Sequence, residues 1–444
     1  MNCITVRVGV HREGNGVATL TISLEEPPIG LGEARDLPCT PSDPEFLLAP
    51  GGDGAVSKAG DRLCTGLAGG HPDIGEVLQQ AMHDVDGDRR PFYVELRAGA
   101  EAERIPWEAL SLPDGTFVGL DLRWSIARVV ASRIPQPGTR PFAPPLRIAV
   151  LLSCFGVPAA QEWAEIEAAV RGTALDVELL VFAGESDLAD TIAQSNLPGL
   201  HVEGVPEPAF ADELKRGIAK FRPHVIHFFC HGSTDQGPHL ELASTADWLR
   251  GDAQTSLFLE AEAIGEFSDP IERTWLAVLN CCEGAASREQ LHSLARNLVF
   301  DAGFPAVVGM REPILSEDAT SFSRGFFREL FSAVLDCTAA GGGQLDWTKL
   351  LVDPRRNLVR RAGGVFTATA RDRREWTLPV LYLRPDSFVL SPPTPAAAPS
   401  TGQELLLLEL LRTMRSAASP DSPAPYLAEL DQRIAELERR AGGP

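Results

Sequence analysis

Two apolar stretches, HVIHFFCHG at residues 224–232 and WLAVLNCCEG at residues 275–284, decide the fold. Each is an apolar run of strand length that ends in polar residues and a glycine. Near-continuous apolar runs are typical of strands buried on both faces of a parallel sheet. Because the chemistry of such sheets lies at the carboxyl ends of the strands, the side chains that follow each run are the first candidates for a functional site.

The sequence around these two stretches alternates between strand and helix patterns. Further strands are predicted at 146–152, 177–182, 305–309 and 376–383. Helical apolar spacing predicts helices at 161–170, 186–193, 210–221, 289–302 and 316–334. This alternation predicts an α/β domain at residues 146–385, with a mostly parallel sheet and helices on both faces.

The N-terminal part has the pattern of antiparallel strands. Alternating residues at 4–10 and 18–24, separated by Gly-Asn-Gly at 14–16, predict a β-hairpin. A further strand is predicted at 92–96. Residues 1–134 are therefore expected to form a β-rich N-terminal region.

Composition defines three other segments, and helical spacing defines a fourth. Residues 27–72 are rich in Gly, Pro and Asp and are expected to be mostly loop, whereas 74–85 has helical spacing. The segment 135–145 contains five prolines, and 386–402 is rich in proline and alanine. Both are predicted to be linkers.

A helical tail is predicted at residues 403–444. Segments 404–415 and 426–440 are expected to be helices, and the second has a short seam of apolar residues at spacings of three and four: Leu427, Leu430, Ile434 and Leu437. Two readings remain open, namely helices packed on the main domain and a helical hairpin that binds a partner.

Overall charge and composition exclude several classes of protein. Hydrophobic residues make up 44% of the 444 residues, which indicates a globular chain. The formal net charge of -21 would repel phosphate and argues against nucleic-acid binding. The apolar runs are shorter than a membrane span and no signal-peptide pattern begins the chain, so a cytoplasmic protein without membrane contact is expected.

The eight cysteines do not have the spacing of a metal site. No C-x2-4-C pair occurs, and the adjacent Cys281 and Cys282 would make a poor disulfide and a poor chelate. In a cytoplasmic chain these residues are reduced thiols, and one of them is a candidate nucleophile. Neither a metal nor a cofactor is predicted.

His231 and Cys282 lie near the ends of the two opening stretches and form the candidate catalytic pair. A free thiol is only slightly ionised at neutral pH, and a nearby imidazole lowers its pKa or takes its proton during attack. The backbone N–H groups of Gly232 and Cys282 are the predicted donors to the oxyanion. No third catalytic residue is evident, so a dyad is expected.

At these positions the chain resembles the CHAT-domain proteases, bacterial relatives of caspases, metacaspases and separase. The resemblance covers roughly residues 90–385. It is carried by HFFCHG at 227–232, LNCCEGA at 279–285, IPWEAL at 105–110, WTLPVLY at 376–382, and the helix and strand that contain LARNL at 294–298 and AVV at 306–308. The interval from 231 to 282 also matches the caspases, in which the histidine lies about 50 residues before the cysteine. Register with Gly284 then selects Cys282 over Cys281.

The resemblance implies a caspase-like cysteine endopeptidase that acts on protein substrates. Family members commonly act as regulated effectors. The resemblance therefore implies a zymogen that is activated by a protease or a partner protein and acts in bacterial immunity, antiviral defence or programmed death. Many relatives in the clan cut after basic residues, and Glu317 or Asp318 would supply the acidic pocket here. Arg311 nearby would weaken that acidity.

Ordinary roles are expected for the other polar residues near these strands. His224 and His227 are interpreted as hydrogen-bonded core or strand-edge residues, and Cys154 and Cys230 as inert core thiols. Two rival functions remain: a catalytically idle scaffold that binds partners through its helical tail, and a hydrolase or transferase of small amides that uses the same dyad.

Overall fold

The computed structural model describes most of the chain between residues 4 and 393 and a few residues of the C-terminal tail. The described residues are 4–12, 18–25, 35–38, 54–68, 91–96, 103, 105–112, 114–134, 137–233, 237–270, 272–282, 291–312, 314–363, 367–393, 410–413, 415, 427 and 431–434.

The strands, in chain order, are β1 (Ile4–Arg12), β2 (Ala18–Glu25), β3 (Arg35–Pro38), β4 (Phe92–Leu96), β5 (Ile126–Val129), β6 (Thr139–Pro141), β7 (Leu146–Ser153), β8 (Val177–Ala183), β9 (Leu200–Gly204), β10 (Val225–Ser233), β11 (His239–Leu242), β12 (Leu257–Glu260), β13 (Leu276–Cys282), β14 (Ala306–Met310), β15 (Gly343–Gln344), β16 (Pro379–Leu383) and β17 (Val389–Ser391). The helices are α1 (Ala55–Ala68), α2 (Ala160–Arg171), α3 (Ser186–Ala193), α4 (Ala211–Phe221), α5 (Thr245–Arg250), α6 (Ala261–Ser268), α7 (Leu291–Phe300), α8 (Ser316–Ala339), α9 (Val352–Gly363) and α10 (Ala368–Arg371).

One large sheet organises the described part of the chain. Its main path runs β3-β2-β1-β4-β5-β16-β14-β13-β10-β7-β8-β9, and β11 and β12 extend from β10. From β14 to β9, each strand pairs in parallel with the next one along this path, whereas β14 pairs antiparallel with β16. The predicted mostly parallel sheet is therefore confirmed.

Helices cover both faces of this parallel centre. Asn280 of β13 donates to Ser323 of α8 on one face. On the other face, a side chain at Gly309 of β14 would meet the methyl group of Ala295 in α7 at 2.8 Å. The strands between these layers are almost wholly buried, as their unbroken apolar sequence predicts.

The β-rich N-terminal region continues the same sheet. The predicted hairpin is β1 paired antiparallel with β2, and β4 then pairs with β5. Strand β5 pairs in parallel with β16, so that Tyr382 lies opposite Arg128. Because β5 covers the backbone edge of β16, the two regions share one sheet instead of packing as separate layers.

The prediction that 27–72 is mostly loop missed strand β3 and helix α1. Within α1, Val56, Ala59 and Leu63 recur at helical spacing and are fully buried. Because the segment as a whole is rich in glycine and aspartate, its composition did not indicate the apolar face of this helix. The helix predicted at 74–85 lies outside the described residues.

The proline-rich segment 135–145 also differs from a plain linker. It contains β6, which joins β15 and β17 in a small three-stranded sheet. Phe142 within it is buried and packs edge-on against Trp275. Apolar anchoring of this kind holds the segment against the main body despite its proline content.

By compactness the chain divides into two units, Met1–Leu390 and Ser391–Pro444. In the second unit, residues 410–413, 415, 427 and 431–434 are helical and fall within the two predicted tail helices. The Arg415 Nε atom donates to Asp431 Oδ1 at 2.7 Å, which joins these two segments.

Candidate active site

The backbone places His231 and Cys282 side by side. Strands β10 and β13 are parallel neighbours, and their register pairs His231 with Cys282. Paired residues on neighbouring strands are separated by about 4.8 Å across the sheet. Two segments that are 51 positions apart in the chain, at 231 and 282, therefore meet at one edge of the sheet.

A backbone carbonyl orients the imidazole of His231. The Nε2 atom lies 2.7 Å from the carbonyl oxygen of Phe155, which follows the end of β7. Because a carbonyl only accepts hydrogen bonds, Nε2 carries a proton and Nδ1 is left as the basic nitrogen. Sequence motifs do not report backbone carbonyls, so the prediction of a dyad without an orienting group missed this contact.

Cys154 also lies against the imidazole. Its sulfur is 3.4 Å from Nδ1 and 3.6 Å from Nε2 of His231, and its side chain is fully buried. Its burial agrees with the expectation of a core thiol, but the contact with His231 was not expected. The sequence contained a signal for this contact. Cys154 directly follows the apolar run of β7, just as His231 stands at the end of the apolar run of β10.

The surroundings of His231 favour its charged form. Burial lowers the pKa of the imidazole, but the hydrogen bond with Cys154 and the negative charge of its thiolate form outweigh that effect. With the Phe155 carbonyl and the Glu241 carboxylate, they raise the pKa of His231 to about 9. At neutral pH the ring is thus an imidazolium, the form that stabilises a neighbouring thiolate.

Trp248 supports the segment that carries Phe155. Its indole packs on the Phe155 ring with 5.4 Å between centroids, and its Nε1–H donates to Ser153 Oγ at 3.4 Å. Gly184 lies beneath this contact, where a Cβ atom would come within 2.6 Å of the indole nitrogen. Helix α5, which carries Trp248, is thereby fitted closely against the end of β7.

A buried aspartate holds α5 in place. Ser244 caps the helix, and Asp247 completes the capping box. The Asp247 carboxylate also accepts backbone hydrogen bonds from Gln254 at 2.9 Å and Thr255 at 2.7 Å. These contacts close the loop between β11 and β12, so the wall beside Phe155 is well defined.

The predicted oxyanion donors lie on the same two strands. Gly232 is buried and directly follows His231 in β10, where it pairs with Leu240 of β11. Cys282 is the last residue of β13. The backbones of Gly232 and Cys282 are therefore one register position apart at the sheet edge. Their role as donors stays a prediction.

The two acids predicted for the substrate pocket lie in the first turn of α8. This turn adjoins β13, because Asn280 Nδ2 donates to the Ala319 carbonyl at 3.1 Å. Arg361 of α9 bonds to both acids: its Nη2 contacts Glu317 Oε2, and its Nε lies 2.9 Å from Asp318 Oδ1. Burial raises the pKa of Asp318, and Arg361 opposes that rise. The acidic pair is therefore already engaged by a cation of the same chain.

Arg311 does not join these acids. It is buried, and its Nη1 lies 3.1 Å from Glu312 Oε1. Burial lowers the pKa of this guanidinium, and Glu312 and the deeper Glu108 offset part of that effect.

His227 has a core position and His224 is partly buried next to the start of β10. His227 is fully buried, and its Nε2 lies 2.8 Å from Glu162 Oε1. His224 Nδ1 accepts a hydrogen bond from the backbone of Arg147, and burial lowers the pKa of its ring to about 3. Within the described residues, no group of three or more His, Cys, Asp or Glu side chains is placed to hold a metal ion. No helix in the described part of the chain is long and apolar enough to cross a membrane.

Comparison with known protein families identifies the family of the chain. The family model described as the CHAT domain matches residues 76–340, which is more than half of the chain. No curated protein matches the sequence.

Two solved structures are distantly similar. The Arg-specific cysteine proteinase gingipain R is 10% identical with a TM-score of 0.38, and the match covers 71% of this chain and 68% of that one. A chain of the Saccharomyces cerevisiae separase–securin complex is 12% identical with a TM-score of 0.35, and the match covers 78% of this chain but only 20% of that one.

Proposed function

The chain belongs to the CHAT domain family, and we propose that it is a cysteine endopeptidase with Cys282 as nucleophile and His231 as its proton-transfer partner. The observation that carries the proposal is the register of β10 and β13, which pairs these two residues at the carboxyl ends of adjacent parallel strands. An imidazole held by a backbone carbonyl next to a cysteine is the arrangement that thiol catalysis requires.

In the proposed reaction, the Cys282 thiol loses its proton to His231 Nδ1. The raised pKa of His231, about 9, keeps the ring charged at neutral pH, and this charge favours the attacking thiolate form of the cysteine. The thiolate attacks the peptide carbonyl carbon, and the backbone N–H groups of Gly232 and Cys282 donate to the oxyanion. His231 then gives its proton to the leaving amine, and water hydrolyses the thioester with the same imidazole as base.

The Phe155 carbonyl keeps the ring in the tautomer that this sequence of steps needs. Its hydrogen bond with Nε2–H leaves Nδ1 of His231 as the atom that exchanges protons with the Cys282 thiol. Cys154 contributes by stabilising the charged ring, so that a proton donor is present when the amine leaves.

The proposed substrates are proteins, and the proposed role is that of a regulated effector in bacterial defence or cell death. An activating protease or regulatory partner would control it, and a cytoplasmic location agrees with the free thiols among the described cysteines. Cleavage after basic residues remains the proposed preference. A basic substrate side chain would then have to displace Arg361 from Glu317 and Asp318.

A cleavage profile on a peptide library, with and without co-encoded neighbours, tests the proposal. The wild-type chain, Cys282→Ala and Cys281→Ala are compared, the last as a matched control that removes the adjacent thiol. We expect Cys282→Ala to lose hydrolysis and Cys281→Ala to retain it. Hydrolysis by Cys282→Ala at the wild-type rate would refute the mechanism. A wild-type chain that binds partners but cleaves nothing would instead support a scaffold.

A further inference from the structure

A cluster of four buried polar side chains lies beneath the catalytic pair. It consists of Glu162, His227, Asn280 and Ser323, and none of them is more than 1% exposed. They come from four different elements, α2, β10, β13 and α8 respectively. We refer to this set as the Glu162 cluster.

One oxygen of Glu162 is the centre of the cluster. Oε1 lies 2.8 Å from His227 Nε2, 3.1 Å from Asn280 Nδ2 and 2.5 Å from Ser323 Oγ. Asn280 Nδ2 also donates to Ser323 Oγ at 2.9 Å. A single acceptor thus joins two helices to two strands. Hydrogen bonds to a buried carboxylate are stronger than those between neutral groups, because little solvent screens them.

The second carboxylate oxygen makes no comparable contact. Among the described residues, Glu162 Oε2 is buried without a hydrogen-bond partner. Glutamine at this position would therefore retain every observed contact through its carbonyl oxygen.

Both strands that the cluster joins lead to the catalytic pair. Asn280 precedes Cys282 by two residues in β13, and His227 precedes His231 by four residues in β10. The backbone ladder between these strands already sets their register. The cluster adds the attachment of the helices on that face to the strands.

Helix α2 carries the more direct consequence. The segment 154–159 runs from the end of β7 into α2 and supplies both the Cys154 thiol and the Phe155 carbonyl that contact His231. Glu162 lies in the first turn of α2, and the N–H of Ala159 just before it donates to Glu185 at 2.8 Å. The position of this first turn therefore determines where the Phe155 carbonyl lies relative to the imidazole.

We propose that Glu162 is a positioning residue for the catalytic pair. It anchors the first turn of α2 to β10 and β13, and so holds Cys154 and Phe155 against His231 while fixing the layer beneath Cys282. This inference rests on the proposed cysteine-peptidase function, and it gives the first histidine of HFFCHG a structural role in catalysis.

Two variants of Glu162 and one control test the proposal. Glu162→Ala removes the acceptor, and Glu162→Gln retains it without the charge. Glu165→Ala is the matched control, because Glu165 lies on the same helix and bonds to Arg324, the neighbour of Ser323 in α8, without reaching β10 or β13. Steady-state kinetics on a cleaved peptide and thermal unfolding are measured for each.

We expect Glu162→Ala to lower kcat roughly 10- to 100-fold with KM within about twofold, since small misplacement of catalytic groups has effects of this size. Glu162→Gln should recover to within about threefold of wild type, and Glu165→Ala should not change kcat. Equal loss in Glu162→Ala and Glu165→Ala, or no loss in either, would overturn the proposal. So would a Glu162→Gln variant as impaired as Glu162→Ala, because the hydrogen bonds would then not be what matters.

A second readout does not need peptidase activity. The rate of alkylation of Cys282 by iodoacetamide is followed against pH by mass spectrometry of the folded chain. Wild type and Glu162→Gln should show a thiol that reacts below pH 7, and Glu162→Ala should lose this low-pH reactivity. If the wild type cleaves no peptide but shows this difference, the proposed function fails and the positioning role stands. Identical profiles in all variants would refute the positioning role alone.

Discussion

Replacement of Cys154 by alanine is expected to change the pH dependence of the proposed reaction. The pKa of His231 is raised from 6.5 to about 9, and contacts with the Cys154 thiol are the largest of the raising effects. Burial, which acts in the opposite direction, would remain after the thiol is removed. The pKa of His231 should therefore fall by about one to two pH units, as expected for loss of a partner in direct contact.

The assay is kcat/KM against pH for wild type, Cys154→Ala and Cys154→Ser. In the wild type, the alkaline limb should lie near the pKa of about 9, because His231 must be protonated to supply the leaving amine with a proton. In Cys154→Ala this limb should move towards neutral pH. Cys154→Ser, which keeps a hydrogen-bonding group that does not ionise, should lie between them. Cys337→Ala removes a partly buried thiol at the end of α8 and serves as the control.

The free energy of unfolding should also depend on pH through the protonation of His231. His231 has a higher pKa in the fold than in the unfolded chain, so its contribution is fully present below about pH 6.5 and is lost as the pH rises towards 9. This slope should be weaker in Cys154→Ala. An alkaline limb in Cys154→Ala that coincides with that of wild type would refute the assignment of the raised pKa to Cys154.

Two further predictions concern ion pairs. Arg128 Nη2 lies 2.7 Å from Glu108 Oε2, and both side chains are fully buried. Arg128→Met should lower the free energy of unfolding by about 3–5 kcal/mol, because it removes the partner of a buried carboxylate. A free energy of unfolding in urea within about 1 kcal/mol of wild type would contradict this prediction. Arg361→Ala frees Glu317 and Asp318 and should raise cleavage after Arg and Lys relative to other residues, as measured on the peptide library. An unchanged ratio would remove these acids from the proposed pocket.

Local sequence patterns predicted the central strands and helices closely. The run at 146–152 became β7 (Leu146–Ser153), and the pattern at 186–193 became α3 (Ser186–Ala193). Such strands are buried on both faces, and such helices are buried along one side. Their apolar residues are therefore continuous in the strands and recur every three to four positions in the helices. Prediction was weaker at α1 and at β6, where apolar residues are few and packing against distant segments stabilises the element.

By itself, the sequence determined the two strands that end in His231 and Cys282 and the mostly parallel sheet to which they belong; that the two strands are neighbours came from the structure. Apolar runs and strand-end residues are local features, and they are legible without coordinates. Only the tertiary structure decided what surrounds the imidazole. The Cys154 thiol, the Phe155 carbonyl and the Glu162 cluster reach this region from segments distant in the chain, and backbone groups and through-space contacts leave no periodic signal in a sequence. Folding brings these groups within 3.6 Å of their partners. At such distances they influence the pKa and the orientation of the His231 imidazole.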